Sequence, residues 1–277
     1  KSIEFISLSS NIWDRYGRKF KYFLALILLV KEILNNKNLL VFSFQANIYC
    51  IIVCKLFGVK VISRSNSAPI GWSQNWLKRT IFKIVLNLAD KVMVNSLQFK
   101  KDLKKEFNVD AICIYNPLNI KEIRQKSKEK TQSIFKSKKK LKILNIGRFT
   151  EQKDQKTLLK SLNYLKRDLD YEAVLVGKGI LKDNLTKYIE ENNLKNNIKI
   201  LNFVDNPYKL IKQTDIFVLS SRFEGLPNVL LEALVLNKFV ISSDCPTGPK
   251  EILLNGKGGL LFKVGDYIDL SKKIITK

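Results

Sequence analysis

Histidine is missing altogether from these 277 residues. The chain therefore has no side chain that titrates unperturbed near neutral pH, no imidazole base and no histidine metal ligand, which excludes many hydrolase mechanisms. Cysteine is scarce: four residues, at 50, 54, 113 and 245, with neither zinc-ligand spacing nor a disulfide framework. Cys50 and Cys54 stand four apart inside the apolar run 48–57 and read as one buried helix face. Cys113 falls in a strand pattern, and Cys245 in a loop near a candidate ligand. Reduced thiols suit a cytoplasmic chain. Arginine is sparse as well, supplying only 8 of the 49 basic residues. The net charge of +24 is thus mostly lysine spread along the whole chain, in company with abundant asparagine. That reads as compositional bias more than a nucleic-acid groove, and no aromatic-plus-basic motif for stacking bases stands out. Part of the excess charge is expected to attract phosphates or an anionic membrane face. The uncharged run 22–30 is too short to span a bilayer and has no signal-peptide context, so it reads as a buried helix with a membrane surface as the lesser reading.

What is present is apolar material ample for packed cores, 45% of residues, in a strand–helix alternation that predicts α/β architecture with parallel sheets. In the first half, strands are expected at 3–8, 39–44, 59–63, 91–95 and 111–115, and helices at 19–34, 46–57, 76–89 and 96–107. The stretch 121–140 is polar and charged, with no apolar periodicity beyond Ile134 and Phe135, and reads as a linker. A second series follows, with strands at 141–146, 172–176, 198–203, 215–219, 239–242 and 259–262. Its helices are expected at 154–166, 180–193, 206–213, 227–237 and 248–254. The organisation predicted is a Rossmann-like domain over 1–120, a connector over 121–140 and a second Rossmann-like domain over 141–277, facing each other across a cleft. The chain opens inside a strand pattern without Met and stops in a helix begun near Asp266, as a fragment would.

Two constellations carry chemistry. The first opens the second half: Gly147 ends a strand and allows close backbone approach to a ligand, Arg148 and Lys153 bracket a turn, and Asp154 suits a helix N-cap. Two cations at the carboxyl end of a strand suit a diphosphate, Arg as a bidentate fork and Lys as a point charge. The second runs from Ser220 to Ala233. The apolar strand 216–219 breaks into a turn holding Glu224, Gly225 and Leu226, and Pro227 stands where a helix would start. The amides of Asn228, Val229 and Leu230 are expected to be free at that helix start and to attract phosphate. Glu224 and Glu232, eight residues apart, would repel phosphate and should face hydroxyls. A ligand with both groups, such as a sugar nucleotide, meets both demands. Asp168-Leu-Asp170 matches a metal-binding Asp-x-Asp pattern but precedes a strand; it reads as a surface turn, and no metal is expected.

These motifs, with Gly177-Lys-Gly179, Ser243-Asp-Cys-Pro-Thr-Gly248-Pro-Lys-Glu251 and Gly258-Gly259, resemble the nucleotide-binding domain of GT-B glycosyltransferases, specifically retaining family 4. Weaker likeness in Ser63-Arg-Ser-Asn66, Leu88-Ala-Asp90, Val94-Asn-Ser96 and Tyr115-Asn116-Pro117 is similar to members that build bacterial surface polysaccharides and lipid-linked glycans. The resemblance implies transfer of a hexose or N-acetylhexosamine from an NDP-sugar, foremost a UDP-sugar, to a glycan or polyprenyl-diphosphate-linked acceptor. Transfer would be retaining and metal-independent; no cofactor is needed, the donor being a co-substrate. Arg148 and Lys153 would hold the diphosphate, Glu224 the donor sugar and Glu232 the ribose hydroxyls. Gly147, Gly225, Leu226, Pro227 and the amides of 228–230 would line the donor, Gly177 and Gly179 would lie by the base, and Arg64 and Asn66 would stand on the acceptor side. Three family features are missing: the glycine-rich loop after the first strand, the acceptor-side histidine and the closing C-terminal helix. The location implied is cytoplasmic, with peripheral association at the inner membrane. Two rival readings remain: a sugar-nucleotide epimerase of the same architecture, and a basic protein that binds nucleotide or anionic membrane without turnover.

Overall fold

The computed structural model describes residues 17–44, 46–66 and 75–276. The expected strand at 3–8 lies outside them. The described residues form two compact units, one within 17–66, 75–94 and 100–114, the other within 95–99 and 115–276.

The first unit is built on helix α1 (Arg18–Asn35) and the strands β1 (Leu40–Ser43), β2 (Lys60–Ser65), β3 (Lys91–Val94) and β4 (Ala111–Cys113). Helices α2 (Asn47–Leu56), α3 (Trp76–Leu88) and α4 (Leu97–Phe107) connect them. The strands lie in chain order and pair in parallel, Ser63 beside Ser43 on one side and beside Val92 on the other. Side chains alternate: Val61, Ser63 and Ser65 are buried while Lys60 is exposed, as period-two geometry requires. Cys50 and Cys54 are both buried on α2, and burial pushes the Cys54 thiol up to about 12, an inert packing group.

The second unit carries six parallel strands: β5 (Leu141–Ile146), β6 (Tyr171–Val176), β7 (Ile198–Leu201), β8 (Ile216–Leu219), β9 (Phe239–Ser243) and β10 (Leu260–Phe262). Their spatial order is β10-β9-β8-β5-β6-β7. Interleaved helices are α5 (Ile120–Lys126), α6 (Gln155–Leu165), α7 (Lys182–Glu191), α8 (Tyr208–Ile211), α9 (Asn228–Val235), α10 (Pro249–Ile252) and α11 (Tyr267–Ile275). One core, with Leu158, Leu162, Leu185 and Leu270, packs against one set of strand side chains. A second, with Leu210, Leu230, Ala233 and Leu253, packs against the other set. Every residue of β8 is buried, which explains its unbroken apolar run. From β5 the chain winds one way through β6 and β7 and the other way through β8, β9 and β10, so strand order reverses between β5 and β8. In open α/β sheets that switch point is where a crevice forms at the carboxyl ends.

The stretch 121–140 differs from its expected linker character. Its start is helical, because the Asn119 side chain accepts from the Glu122 amide (3.1 Å) and donates to the Glu122 carboxylate (3.1 Å), a reciprocal cap. Further on, the amides of Lys136 and Ser137 donate to Glu172 (2.6 and 2.8 Å), and the Ile134 amide donates to Gln213 (2.9 Å). Phe135 is buried in the second core. Composition marked the segment as solvated; Ile123, Ile134, Phe135 and distant acceptors hold it down.

Candidate active site

Both sequence-predicted constellations emerge at the switch point, one after β5 and the other after β8. The loop after β5 is fixed by main-chain bonds to its neighbour: the Gly147 amide donates to Val176 (3.0 Å) and the Phe149 amide to Lys178 (2.9 Å). Phe149 itself is fully buried and anchors the loop. Glycine is required across from it. A Cβ on Gly177 would lie 1.9 Å from the Gly147 carbonyl oxygen, and one on Gly179 (φ +155) 2.3 Å from that of Phe149. Gly147 is different, since a Cβ there would meet its nearest protein atoms at 3.6 Å, ordinary contact. Nothing inside the fold demands glycine at 147. Gly177 and Gly179, by contrast, already serve the packing of the 147–149 backbone.

The loop after β8 is stitched to the first. The Ser220 hydroxyl donates to the Lys153 carbonyl (3.0 Å), the Arg222 amide to the Gln152 carbonyl (2.8 Å), and the Gln152 side-chain amide to the Phe223 carbonyl (3.0 Å). Lys153 Nζ stands 2.5 Å from Glu224 Oε1, which also accepts from the Ser221 hydroxyl (2.6 Å). Both charges are largely out of solvent, the side chains being 16% and 8% exposed. Sequence reasoning placed Lys153 and Glu224 on different parts of one ligand; the structure also pairs them with each other. Arg148 is exposed, and its guanidinium reaches Gln152 Oε1 at 3.4 Å. The site thus holds one cation neutralised in place and another held, among the described residues, by a neutral amide.

The turn at 224–225 is supported from the β9–α10 loop. Thr247 Oγ1 donates to the carbonyls of Glu224 (3.1 Å) and Gly225 (2.9 Å), the Glu224 amide donates to Pro246 (2.6 Å), and Ser243 Oγ donates to Ser221 (2.5 Å). Gly248 (φ +92) permits this approach, since a Cβ would fall 2.4 Å from the Gly225 carbonyl. Cys245, expected near the ligand, is buried in this loop, and burial pushes its thiol up to about 12.

Three local expectations change. Pro227 is the N-cap of α9 in extended conformation (φ −73, ψ 98), one position earlier than expected. The Leu230 amide already donates to the Pro227 carbonyl (3.0 Å) and its side chain is core, so of the three amides only Asn228 and Val229 remain at the helix mouth. Asp154 occupies the N-cap of α6, but in left-handed conformation (φ 45, ψ 47), and its side chain caps nothing. Instead its carboxylate accepts from Thr157 Oγ1 (2.9 Å) and pairs with Arg222 Nε (3.3 Å).

Glu232 lies on α9, half-buried, with no hydrogen-bond or ion-pair partner among the described residues; desolvation raises its carboxyl above the ordinary range. A carboxylate taken from water without donors is costly, and a ligand bearing hydroxyls would remove that cost. Asn228 Oδ1 at the helix mouth accepts from Asn116 Nδ2 (2.8 Å). Arg64 and Asn66 belong to the first unit, where Arg64 Nε donates to Asn66 Oδ1 (3.3 Å) at the end of β2. Asp168 and Asp170 sit in the turn before β6, Asp170 paired with Lys140 (2.8 Å). Sequence reasoning gave no role to Gln152, Ser221, Thr247 or Asn116, although the last three stand inside the motifs it singled out. Thr247 and Asn116 have partners remote in the chain, Gln152 one remote and one local, and Ser221 a local one, so no motif spacing announced them.

The chain belongs to the glycosyl transferases group 1 family, whose model matches residues 126–276. It is 30% identical over 226 residues to the N-acetylgalactosamine-N,N'-diacetylbacillosaminyl-diphospho-undecaprenol 4-alpha-N-acetylgalactosaminyltransferase of Campylobacter jejuni, covering 78% of this chain and 60% of that protein. It is 37% identical over 178 residues to an uncharacterized glycosyltransferase of Methanocaldococcus jannaschii, covering 62% of this chain and 44% of that one. The chain therefore spans about half the length of these relatives. Among solved structures it is similar to Anabaena HepE in complex with UDP (TM-score 0.72, 19% identity, 90% of this chain and 71% of that one). It is also similar to a glycosyltransferase from Rickettsia africae (TM-score 0.74, 17% identity, 98% and 73%). The fold is GT-B, with two parallel-sheet α/β domains.

Proposed function

We propose that this protein transfers a hexose or N-acetylhexosamine from a UDP-sugar to a glycan or polyprenyl-diphosphate-linked glycan, with retention at the anomeric carbon and without a metal. The observation that carries this reading is the switch-point site itself. It combines an exposed Arg148, a shielded Lys153–Glu224 pair and a half-buried Glu232 without a hydrogen-bond or ion-pair partner among the described residues. A diphosphate satisfies the cations, and vicinal ribose hydroxyls satisfy Glu232. The diphospho-undecaprenol-linked substrate named for the C. jejuni relative and the UDP bound in the HepE structure agree with it.

In this reading the second domain, 141–277, binds the donor, 121–140 connects, and the first, 1–120, with Arg64 and Asn66, receives the acceptor. Arg148 and Lys153 take up the charge that grows on the diphosphate as the C1–O bond breaks. One preorganised donor of this kind is worth about 3 kcal/mol, roughly a hundredfold in rate. Glu224, its outer face turned by Gly225 and Leu226, accepts from donor-sugar hydroxyls. The acceptor oxygen bonds to C1 on the face the diphosphate leaves, and its proton passes to the departing phosphate oxygen. No described helix is long and apolar enough to cross a membrane. Peripheral docking through α1, which exposes Phe23 and Ile27, is part of the proposal.

The test is thermal stabilisation of the protein against a panel of nucleotide sugars, followed by a transfer assay. Ligand at about a hundred times its Kd adds roughly 2.7 kcal/mol. Stabilisation by UDP-sugars with release of UDP upholds the reading. Epimerised donor without free UDP would convert it to an epimerase, and salt-sensitive DNA binding without nucleotide stabilisation would end it.

A further inference from the structure

We infer that Gln152 is a positioning residue that sets the guanidinium of Arg148 and the Glu224 turn in one fixed geometry, an inference that rests on the reading of this site as the donor site. Its side chain spends both ends on different loops. Oε1 accepts from Arg148 Nη2 (3.4 Å), Nε2 donates to the Phe223 carbonyl (3.0 Å), and its own carbonyl accepts from the Arg222 amide (2.8 Å). Gln152 therefore bridges the cation that follows β5 to the residue before Glu224.

Other links tie the two loops: Ser220 to the Lys153 carbonyl, Lys153 to Glu224, and Arg222 to Asp154. None of them touches Arg148. Among the described residues Gln152 is the one hydrogen-bond partner of that guanidinium. Arg148 is exposed and long, so without this bond it samples several rotamers, and a transition-state contact depends on a donor already in place. The chemistry of the position is also specific. The bridge needs an acceptor and a donor on one planar group: a carboxylate would meet the Phe223 carbonyl with no hydrogen to offer, and asparagine is one methylene short. Because the amide is neutral, it orients Arg148 without cancelling its charge, leaving the charge for a ligand.

Gln152→Met keeps the volume and removes both side-chain bonds; Gln152→Ala removes volume as well. For either variant, kcat for sugar transfer should fall about tenfold or more while the KM for donor stays within about threefold, the pattern of a contact made in the transition state. In an Arg148→Ala background the same substitution should cost several-fold less, since only the link to the Phe223 carbonyl is then left to lose. Wild-type kcat in Gln152→Met, or an equal loss in both backgrounds, would overturn the inference. A readout free of turnover separates it from the function assigned to the site. The 15N order parameter of Arg148 Nε should drop in Gln152→Met; an unchanged value sinks the Gln152 role even if transfer is established. A wild-type protein that neither binds UDP nor transfers sugar would defeat the donor-site reading, with the order parameter still deciding whether Gln152 restrains Arg148.

Discussion

Breaking the Lys153–Glu224 pair gives the most decisive test of the site. In Glu224→Gln the Lys153 ammonium keeps its shielded position, 16% exposed, but loses its counter-charge at 2.5 Å. Removing one partner of a buried pair costs about 3–5 kcal/mol, because the survivor is left uncompensated. Lys153 borders the crevice and can draw in water, so the lower end, about 3 kcal/mol, is expected; Gln also retains an acceptor for Ser221. For a domain of this size each 1 kcal/mol moves Tm by about 2–4 °C, so the ligand-free variant should melt about 6–12 °C below wild type. Lys153→Met should fall similarly, and the double variant should lie well short of the sum, with a coupling of about 2 kcal/mol. A diphosphate would act as a replacement counter-ion, so UDP should raise the Tm of Glu224→Gln by more than it raises wild type, while sugar transfer falls at least tenfold. Differential scanning fluorimetry of the four proteins with and without UDP measures all of this. Single variants within about 2 °C of wild type, or strict additivity, would refute the claim that this pair is a shielded unit poised for a phosphate ligand.

The glycines separate two causes. Gly177→Ala should destabilise by at least about 3 kcal/mol, since its Cβ meets a backbone oxygen at 1.9 Å, whereas Gly147→Ala should melt like wild type yet bind UDP several-fold more weakly; thermal melts and calorimetric titration check the pair. Glu232→Gln should stabilise the ligand-free protein at neutral pH and weaken UDP binding about tenfold or more, because a hydrogen bond to a charged acceptor is worth about 1.5–3 kcal/mol. The native carboxyl is raised above its ordinary 4.5 by desolvation, so the native state holds this proton more tightly than the unfolded chain. Its contribution is present below pH 4.5 and is lost as pH rises through the native value; comparing denaturant midpoints of wild type and Glu232→Gln across pH should show the gap opening in that direction. Asn116→Ala should release the Asn228 side chain and raise the donor KM severalfold, with kcat little changed, by steady-state kinetics.

Periodicity and punctuation carried most of the fold into view. Strand β5 was readable at its observed bounds from 141–146, and β8 and α9 could be placed from an apolar run, a turn and a proline. What spacing could not convey was anything decided by a remote partner. Helix α5 needed the Asn119–Glu122 cap, a signal only a few residues long inside a charged stretch. Asp154 has the right residue type for a cap, yet Arg222, 68 positions later in the chain, draws its carboxylate elsewhere. Arg148, Lys153 and the two glutamates were legible because charged groups stand near glycine and proline at strand ends. That Lys153 and Glu224 would neutralise one another was not, since each motif was read with a ligand as its only partner.

The hydroxyls of Thr247 and Ser243 grip the 221–225 turn by its carbonyl oxygens rather than by its side chains. A loop clamped in this way keeps its path whatever residues decorate it. Position 223, whose side chain takes no part in that grip, is thus free to drift while Arg222 stays bound to Asp154, and a lineage could retune its choice of sugar there while the anion cradle below stays intact.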